Sequence, residues 1–210
     1  MKDHRSNKPA PGMTGNWGIL GGAFDPVHRG HLTLASDIRA AKTLTGVLFV
    51  PSYEPPHKMN RCEASWDDRL AMIRLAIEGR DSFKVSTVEA EMSQPGYSLN
   101  TVRALKCLYP DVTWYFIIGE DLLSEFAAWH RPEEILREVR ILAGSRPAAP
   151  APGSAQPYRS DRIEVVTTGL FDVSSTEIRR RIKEGTAPAE LRELVGDAVG
   201  EYILSRKLYR

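Results

Sequence analysis

The segment from Gly21 to His31 carries residue types that suit contact with phosphate groups. Gly21 and Gly22 let the backbone approach an anion closely, and His28 and His31 add two side-chain donors at the same edge. An apolar run precedes the segment, and apolar residues at helical spacing follow it, so a helix N-terminus with unpaired N–H groups should lie beside the glycines. We therefore predict a site for the phosphates of a nucleotide such as ATP.

Simpler explanations exist for parts of this segment. The histidine pair could bind a metal, cap a helix or lie satisfied in the core, and Asp25 with Pro26 could form an ordinary turn. No third metal ligand lies nearby in sequence, and the glycines before and between the histidines favour anion contact over metal binding. We therefore assign no metal ligand to the protein.

A second motif, from Ser174 to Arg179, matches the start of a helix. Ser174 suits the N-cap and Glu177 completes a capping box, an arrangement that requires no ligand. The same start leaves the hydroxyl and N–H groups of Ser175 and Thr176 directed outward. Arg179, one turn further on, can form a bidentate contact with a phosphate. The motif therefore predicts both a capped helix and a second anion site.

Two further segments contain candidate residues with weaker signals. Lys58 ends a Pro-rich stretch that could be only a surface loop; folded over the strand ends, it would offer a mobile positive charge to phosphates. Gly119 and Asp121 follow the most apolar strand-like run. Trp129 follows on an amphipathic segment, where a tryptophan is more often core than ligand platform.

The elements that must position these residues alternate between strand-like and helix-like patterns. We predict strands at 17–20, 47–50, 83–88, 112–118, 140–143 and 162–166, and helices at 31–42, 65–77, 98–108 and from 174 onward. Continuous apolar runs joined by helices are typical of a doubly wound α/β fold with a parallel sheet covered on both faces. Ligands bind such sheets at the carboxyl ends of the strands, where all these motifs fall.

Composition limits the classes of protein to consider. With 210 residues, 42% of them hydrophobic, the chain suits a single domain at 16–210 whose part from 174 to 210 is helical, after a disordered leader at 1–15. A net charge of +1 gives no general field for nucleic acid or membranes. We find no apolar span or signal peptide, and Cys62 and Cys107 form no CxxC pair, so we expect a cytoplasmic protein.

The two phosphate motifs together resemble the paired signatures of the HxGH nucleotidyltransferase superfamily. Within it, the chain is similar to the bacterial nicotinate-nucleotide adenylyltransferases over 17–209. The supporting segments are Pro55-Pro56-His57-Lys58, Asp68-Arg69-x-x-Met72, Gly96 to Thr101, Ile117 to Asp121 with Trp129, and the closing Tyr202-Ile203 to Leu208-Tyr209. The resemblance implies a Rossmann-like sheet and transfer of the adenylyl group of ATP to nicotinate mononucleotide, giving nicotinate adenine dinucleotide and pyrophosphate in NAD biosynthesis.

The resemblance also implies roles for individual residues. His28, His31, Lys58 and Arg179 would be catalytic, and Mg²⁺ would arrive with ATP. The implied ATP site contains Gly21, Gly22, Ala23, Phe24, Asp25, His28, His31, Gly119, Asp121, Ser175, Thr176 and Arg179. The implied acceptor site contains Ser98, Asp121, Trp129, His130 and Arg146, with Trp129 stacking on the pyridine ring and the backbone around His130 favouring a carboxylate over an amide.

Several alternatives stay open from the sequence. Ala23 stands where the family commonly has Thr, Asn100 where Asp is common and Ser98 where Thr is frequent. Nicotinamide mononucleotide or phosphopantetheine could be the acceptor, cytidylyltransferases share both phosphate signatures, and a non-catalytic nucleotide-binding module could keep the same fold. We expect a monomer or a small homo-oligomer.

Overall fold

A computed structural model describes residues 13–53, 62–92, 96–145, 160–169 and 173–210. Its centre is a six-stranded parallel sheet in the order β3-β2-β1-β4-β5-β6. The strands are β1 (Gly15–Gly22), β2 (Gly46–Pro51), β3 (Phe83–Val85), β4 (Val112–Gly119), β5 (Arg140–Ser145) and β6 (Ile163–Thr167). The order reverses at β1, so the carboxyl ends of β1 and β4 border the crevice where such sheets bind ligands.

The helices are α1 (Arg29–Ala41), α2 (Trp66–Ile77), α3 (Val88–Glu91), α4 (Ser98–Leu108), α5 (Glu120–Leu123), α6 (Pro132–Glu138), α7 (Ser175–Lys183), α8 (Pro188–Val195) and α9 (Asp197–Arg206), with a 3-10 turn at Phe126–Ala128. In the described ranges, none of them is long and apolar enough to cross a bilayer.

Each face of the sheet has its own apolar core. On one face, α1, α2, α8 and α9 contribute residues such as Ile38, Met72 and Ile203. On the other, α4 and α6 contribute Val102 and Ile135 among others. Burial on both faces explains why the strands are continuous apolar runs, and it confirms the predicted doubly wound α/β fold.

Close packing between strands depends on small residues at particular positions. A Cβ atom at Gly46 would overlap the indole of Trp17 and the carbonyl oxygen of Ser82. Any larger residue there would therefore push β2 away from β1 and from the segment before β3, which would shift the strand ends that carry the phosphate loop.

Two predicted boundaries are wrong. Met13 is buried and the Thr14 carbonyl accepts a bond from the Trp17 indole, so residues 13–15, which we predicted to be leader, belong to the fold. The strand predicted at 83–88 ends at Val85 because the Ser86 hydroxyl accepts a bond from the Val88 N–H and a short helix begins there. Residues 1–12 lie outside the described part of the chain.

Candidate active site

The loop after β1 and residues 174–179 supply the first half of the site. We call this half the phosphate end. The side chain of Phe24 turns inward, is 2% exposed and packs against Phe49 and the His31 ring. Phe24, predicted to contact ATP, therefore has only its backbone available for a ligand. Its positive φ of 50° lets the loop turn while that ring stays in the core.

His28 and His31 lie face to face where the loop enters α1. Their ring centroids are 3.7 Å apart, and the His28 N–H donates to Nδ1 of His31 at 3.2 Å. Because that Nδ1 accepts a hydrogen bond, a neutral His31 ring must carry its proton on Nε2. The backbone of His28 thus fixes the tautomer in which His31 can donate from Nε2 to a ligand.

Burial controls the charge of both histidines. It lowers the pKa of His28 to about 4. Burial, followed by the nearby His28, lowers the pKa of His31 well below its ordinary value. Near neutral pH both rings are therefore uncharged, and they offer N–H donors without a fixed positive charge. Nδ1 of His28 is buried and finds no partner in the described part of the chain.

The Asp25 carboxylate is bonded within the protein, so its predicted contact with ATP would have to come from its backbone. Its carboxylate accepts bonds from the Glu63 N–H (2.7 Å), the Ala64 N–H (3.1 Å) and the Tyr209 hydroxyl (2.8 Å). It is 3% exposed. Asp25 therefore joins the loop to the segment before α2 and to the end of the chain, because a buried carboxylate requires such donors.

The second motif reaches the first one directly, as the sheet predicted. Ser175 donates its hydroxyl to the Pro26 carbonyl at 2.9 Å, and Nη1 of Arg179 donates to the Asp25 carbonyl at 2.7 Å. Ser174 caps α7 by accepting from the Glu177 N–H at 3.1 Å, which confirms the predicted helix start. Segments about 150 residues apart along the chain thus form one surface.

The other polar atoms of Arg179 also have partners within the protein. Its Nε donates to Glu63 Oε1 at 3.1 Å and its Nη2 to the Thr176 hydroxyl at 3.4 Å. Lys183, one turn along α7, shares the Glu63 carboxylate at 2.9 Å. Glu63 therefore forms ion pairs with both Arg179 and Lys183.

We call the second half of the site the acceptor end: Ser98, Asp121, Trp129 and His130. Trp129 is half-buried, its ring 5.3 Å from Phe126 and 5.9 Å from Phe116. His130 is exposed and stacks on Tyr97 at 4.1 Å, directly before Ser98 at the start of α4. Ser98 and His130 are thus brought together through that ring pair.

Gly119, predicted to belong to the ATP site, and Asp121 lie at the carboxyl end of β4 and just after it. Asp121 is exposed in the first turn of α5, and a Cβ atom at Gly119 would overlap its carboxylate. Glycine at position 119 therefore leaves room for the side chain two residues later. Lys58 and Arg146, both predicted site residues, lie outside the described residues.

Sequence reasoning gave no role to Arg69, which is 2% exposed and donates to the carbonyls of Ala23 (2.7 Å) and Ser52 (2.9 Å). The sequence nevertheless indicates that Arg69 is buried. Arg69 precedes Met72 and Ile73 by three and four residues, so it shares their buried helix face.

The donor set of the phosphate end fits phosphate oxygens better than a metal ion. Imidazole N–H, guanidinium and helix N-terminal N–H groups all donate, whereas Mg²⁺ takes oxygen acceptors. Among the described residues, no group of three or more His, Cys, Asp or Glu side chains could hold a metal ion.

Comparison with known proteins shows the family. A family model described as cytidylyltransferase-like matches residues 19–181. A relative from Geobacillus thermodenitrificans (strain NG80-2), described as a probable nicotinate-nucleotide adenylyltransferase, is 37% identical over 93% of this chain and 86% of its own. One of the same description from Halalkalibacterium halodurans is 40% identical, over 92% of this chain and 90% of its own.

A solved structure shares the fold at lower identity. The Plasmodium falciparum nicotinic acid mononucleotide adenylyltransferase, complexed with NaAD, superposes with a TM-score of 0.78 at 18% identity, covering 92% of this chain and 97% of that one. From the family model and the bacterial relatives together, the chain belongs to the cytidylyltransferase-like family and, within it, to the nicotinate-nucleotide adenylyltransferases, a group of nucleotidyltransferase enzymes.

Proposed function

We propose that the protein transfers the adenylyl group of ATP to nicotinate mononucleotide, releasing pyrophosphate and forming nicotinate adenine dinucleotide. The observation that carries the proposal is the direct contact between the two phosphate motifs, Ser175 to Pro26 and Arg179 to Asp25. It brings the donors of both motifs to one surface, in a chain whose bacterial relatives carry that activity in their names.

The chemistry needs little from the protein besides alignment and charge neutralisation. The attacking phosphate oxygen of the acceptor is already anionic near pH 7, so no general base is required. Charge grows on the transferred phosphate and on the leaving pyrophosphate, and fixed donors stabilise it. Two uncharged histidines fit this demand, since neither is needed as a proton acceptor.

Each side chain of the phosphate end then has a part. His31 donates from Nε2 and His28 supplies a second imidazole beside it. The N–H groups at the start of α7, those of Ser175 and Thr176 among them, and the Thr176 hydroxyl face the triphosphate, while the Ser175 hydroxyl keeps its bond to the Pro26 carbonyl. Arg179 exchanges Glu63 for a phosphate oxygen when ATP binds, and Lys58 adds a positive charge. The backbone from Gly21 to Asp25 lies against the nucleotide.

Mg²⁺ accompanies ATP in this proposal. It is held by phosphate oxygens and water, since the donor set of the phosphate end offers it few ligands. When bound it neutralises part of the triphosphate charge. The residues of the chain orient the phosphates around it.

At the acceptor end, Trp129 stacks on the pyridine ring, while Ser98 and the backbone at His130 face the pyridine carboxylate. Asp121 contacts ribose hydroxyls of the nucleotides, beside Gly119, and Arg146 belongs to the same site. Half-burial of the Trp129 ring against Phe116 and Phe126 supports the platform role, because a fixed ring stacks without further loss of side-chain freedom.

Pyrophosphate release tests the proposal with ATP, Mg²⁺ and one acceptor at a time. The panel is nicotinate mononucleotide, nicotinamide mononucleotide, phosphopantetheine and choline phosphate. We expect the highest kcat/KM with nicotinate mononucleotide. Turnover with phosphopantetheine or choline phosphate alone would place the chain's activity in another branch of the superfamily, and no turnover with any acceptor would favour a binding module.

A further inference from the structure

Arg69 is a buried cation directly beneath the phosphate loop. It lies in the first turn of α2, and its Nη1 donates both to the Ala23 carbonyl at 2.7 Å and to the Ser52 carbonyl at 2.9 Å. A third contact runs from Nη2 to the Tyr53 carbonyl at 3.5 Å. These acceptors follow β1 and β2, so Arg69 ties together the carboxyl ends of two neighbouring strands.

The bond to Ala23 fixes the orientation of one peptide group. In a trans peptide the C=O and the N–H point in opposite directions. With its carbonyl oxygen held toward the buried guanidinium, the Ala23–Phe24 peptide must direct the Phe24 N–H to the other side of the loop. Ala23 itself is exposed, so the loop is open to a ligand at this position.

Arg69 also brings a positive charge beneath the loop. Within the described ranges, no carboxylate forms an ion pair with it, and its Nε is buried without a partner. The Glu89 carboxylate interacts electrostatically with Arg69 and offsets part of its charge, and the remainder adds positive potential beneath the loop.

We propose that Arg69 is a positioning residue for phosphate binding: it holds the Ala23–Phe24 peptide so that the Phe24 N–H faces the triphosphate, and it adds positive potential from beneath the loop. The inference deepens the proposed function and rests on it. Arg69 acts through the backbone of the loop and does not touch the nucleotide.

Two variants separate the parts of this role. Arg69→Lys keeps the charge and loses the planar fork, and Arg69→Met loses both. We expect the dissociation constant for pyrophosphate, measured by calorimetry, to rise about 10-fold in Arg69→Lys and more in Arg69→Met, with kcat falling at least in parallel. The KM for nicotinate mononucleotide should stay within about 2-fold of wild type, because the acceptor end is untouched.

The neighbouring residue gives a matched control for general destabilisation. Asp68 accepts bonds from Tyr202 (2.9 Å) and Arg206 (3.0 Å), so Asp68→Asn weakens the attachment of α2 to α9 without touching the loop. Asp68→Asn should lower Tm and leave the pyrophosphate affinity unchanged. If Asp68→Asn and Arg69→Lys lose equal pyrophosphate affinity at an equal loss of Tm, the inference is overturned. It is also overturned if Arg69→Lys binds pyrophosphate with wild-type affinity.

A measurement on the wild-type protein covers the case in which neither Arg69 variant folds. Adding pyrophosphate should shift the amide resonance of Phe24 and slow its hydrogen exchange. An unperturbed Phe24 amide at saturating pyrophosphate would overturn the inference. Because pyrophosphate binding requires no acceptor, these results stand apart from the acceptor panel: failure of the panel removes the proposed function, whereas failure here removes only the role of Arg69.

Discussion

At the phosphate end, side chains from four segments meet in direct polar contact, whereas the described contacts at the acceptor end are mainly between aromatic rings. Asp25 and Arg179 each bond to atoms from distant parts of the chain. Trp129 and His130 instead pack against Phe126 and Tyr97. Most of the polar groups of the phosphate end are therefore held in place by bonds within the protein.

This difference matches the demands of the proposed reaction. A growing charge is stabilised only by donors that are already in place, since moving them during the reaction costs free energy. An acceptor subsite has a different role, which is to discriminate between similar nucleotides. Because the Trp129 ring is half-exposed and has few polar contacts, a small number of nearby groups can determine which nucleotide binds. Variants at the two ends should consequently fail in different ways.

The largest effect should come from His31→Ala. Loss of the Nε2–H donor should lower kcat roughly 100- to 1,000-fold, as removal of a preorganised donor does elsewhere. Steady-state rates with ATP and nicotinate mononucleotide measure it. Arg39→Ala, at the far end of α1, is the matched control and should retain wild-type kcat. Near-normal turnover in His31→Ala would show that the phosphate end works without this histidine.

The second largest effect should be on the pH dependence of the free energy of unfolding. Burial depresses the pKa of His28 to about 4 against 6.5 in the unfolded chain. The unfolded state therefore binds more protons between these values, and stability falls as the pH falls from 6.5 to 4, by roughly 3 kcal/mol for this one residue. Urea unfolding of wild type and His28→Gln across that range isolates the contribution. Parallel pH profiles would contradict it.

A somewhat smaller effect is expected for Asp25→Asn. The amide can accept fewer of the three bonds that the carboxylate receives, so the free energy of unfolding should fall by about 2 kcal/mol. Chemical denaturation measures it. Asp37→Asn is the matched control, because Asp37 accepts a single bond at the surface, from the Gly169 N–H at 2.6 Å. Similar losses of unfolding free energy in both variants would mean that Asp25 does not stabilise the phosphate end more than an ordinary surface carboxylate does.

The smallest effect should appear at the acceptor end. Trp129→Leu keeps an apolar side chain against Phe126 and removes the aromatic face, so the KM for nicotinate mononucleotide should rise roughly 10-fold. In Trp129→Phe the KM for nicotinate mononucleotide should rise less, and the KM for ATP should not change in either variant. Steady-state kinetics with each substrate varied in turn decides the point; an unchanged acceptor KM in Trp129→Leu would exclude stacking.

The sheet could be predicted because each strand is a local apolar run. Residues 112–118 are strongly strand-forming, and β4 begins at Val112 as predicted. The helix at 98–108 also begins and ends where the spacing indicated. Meeting of the two phosphate motifs followed from the rule that parallel strands bring their carboxyl ends to one edge.

Side-chain partners could not be predicted in the same way. Asp25 looks like a phosphate-facing residue from its neighbours, yet its direction is set by the N–H groups of residues 63 and 64 and by Tyr209, which is 184 positions away. Arg69 likewise binds carbonyls of two strand ends. Such contacts depend on how distant segments pack, and the local pattern holds no information about them.

The central claim is that the phosphate end delivers the adenylyl group of ATP to a pyridine mononucleotide held at the acceptor end. The most direct measurement follows ATP labelled at the α-phosphorus, with nicotinate mononucleotide as acceptor. We predict that the label enters nicotinate adenine dinucleotide, while label at the γ-phosphorus is recovered in pyrophosphate. Label retained in AMP or ADP, with no dinucleotide formed, would contradict the account.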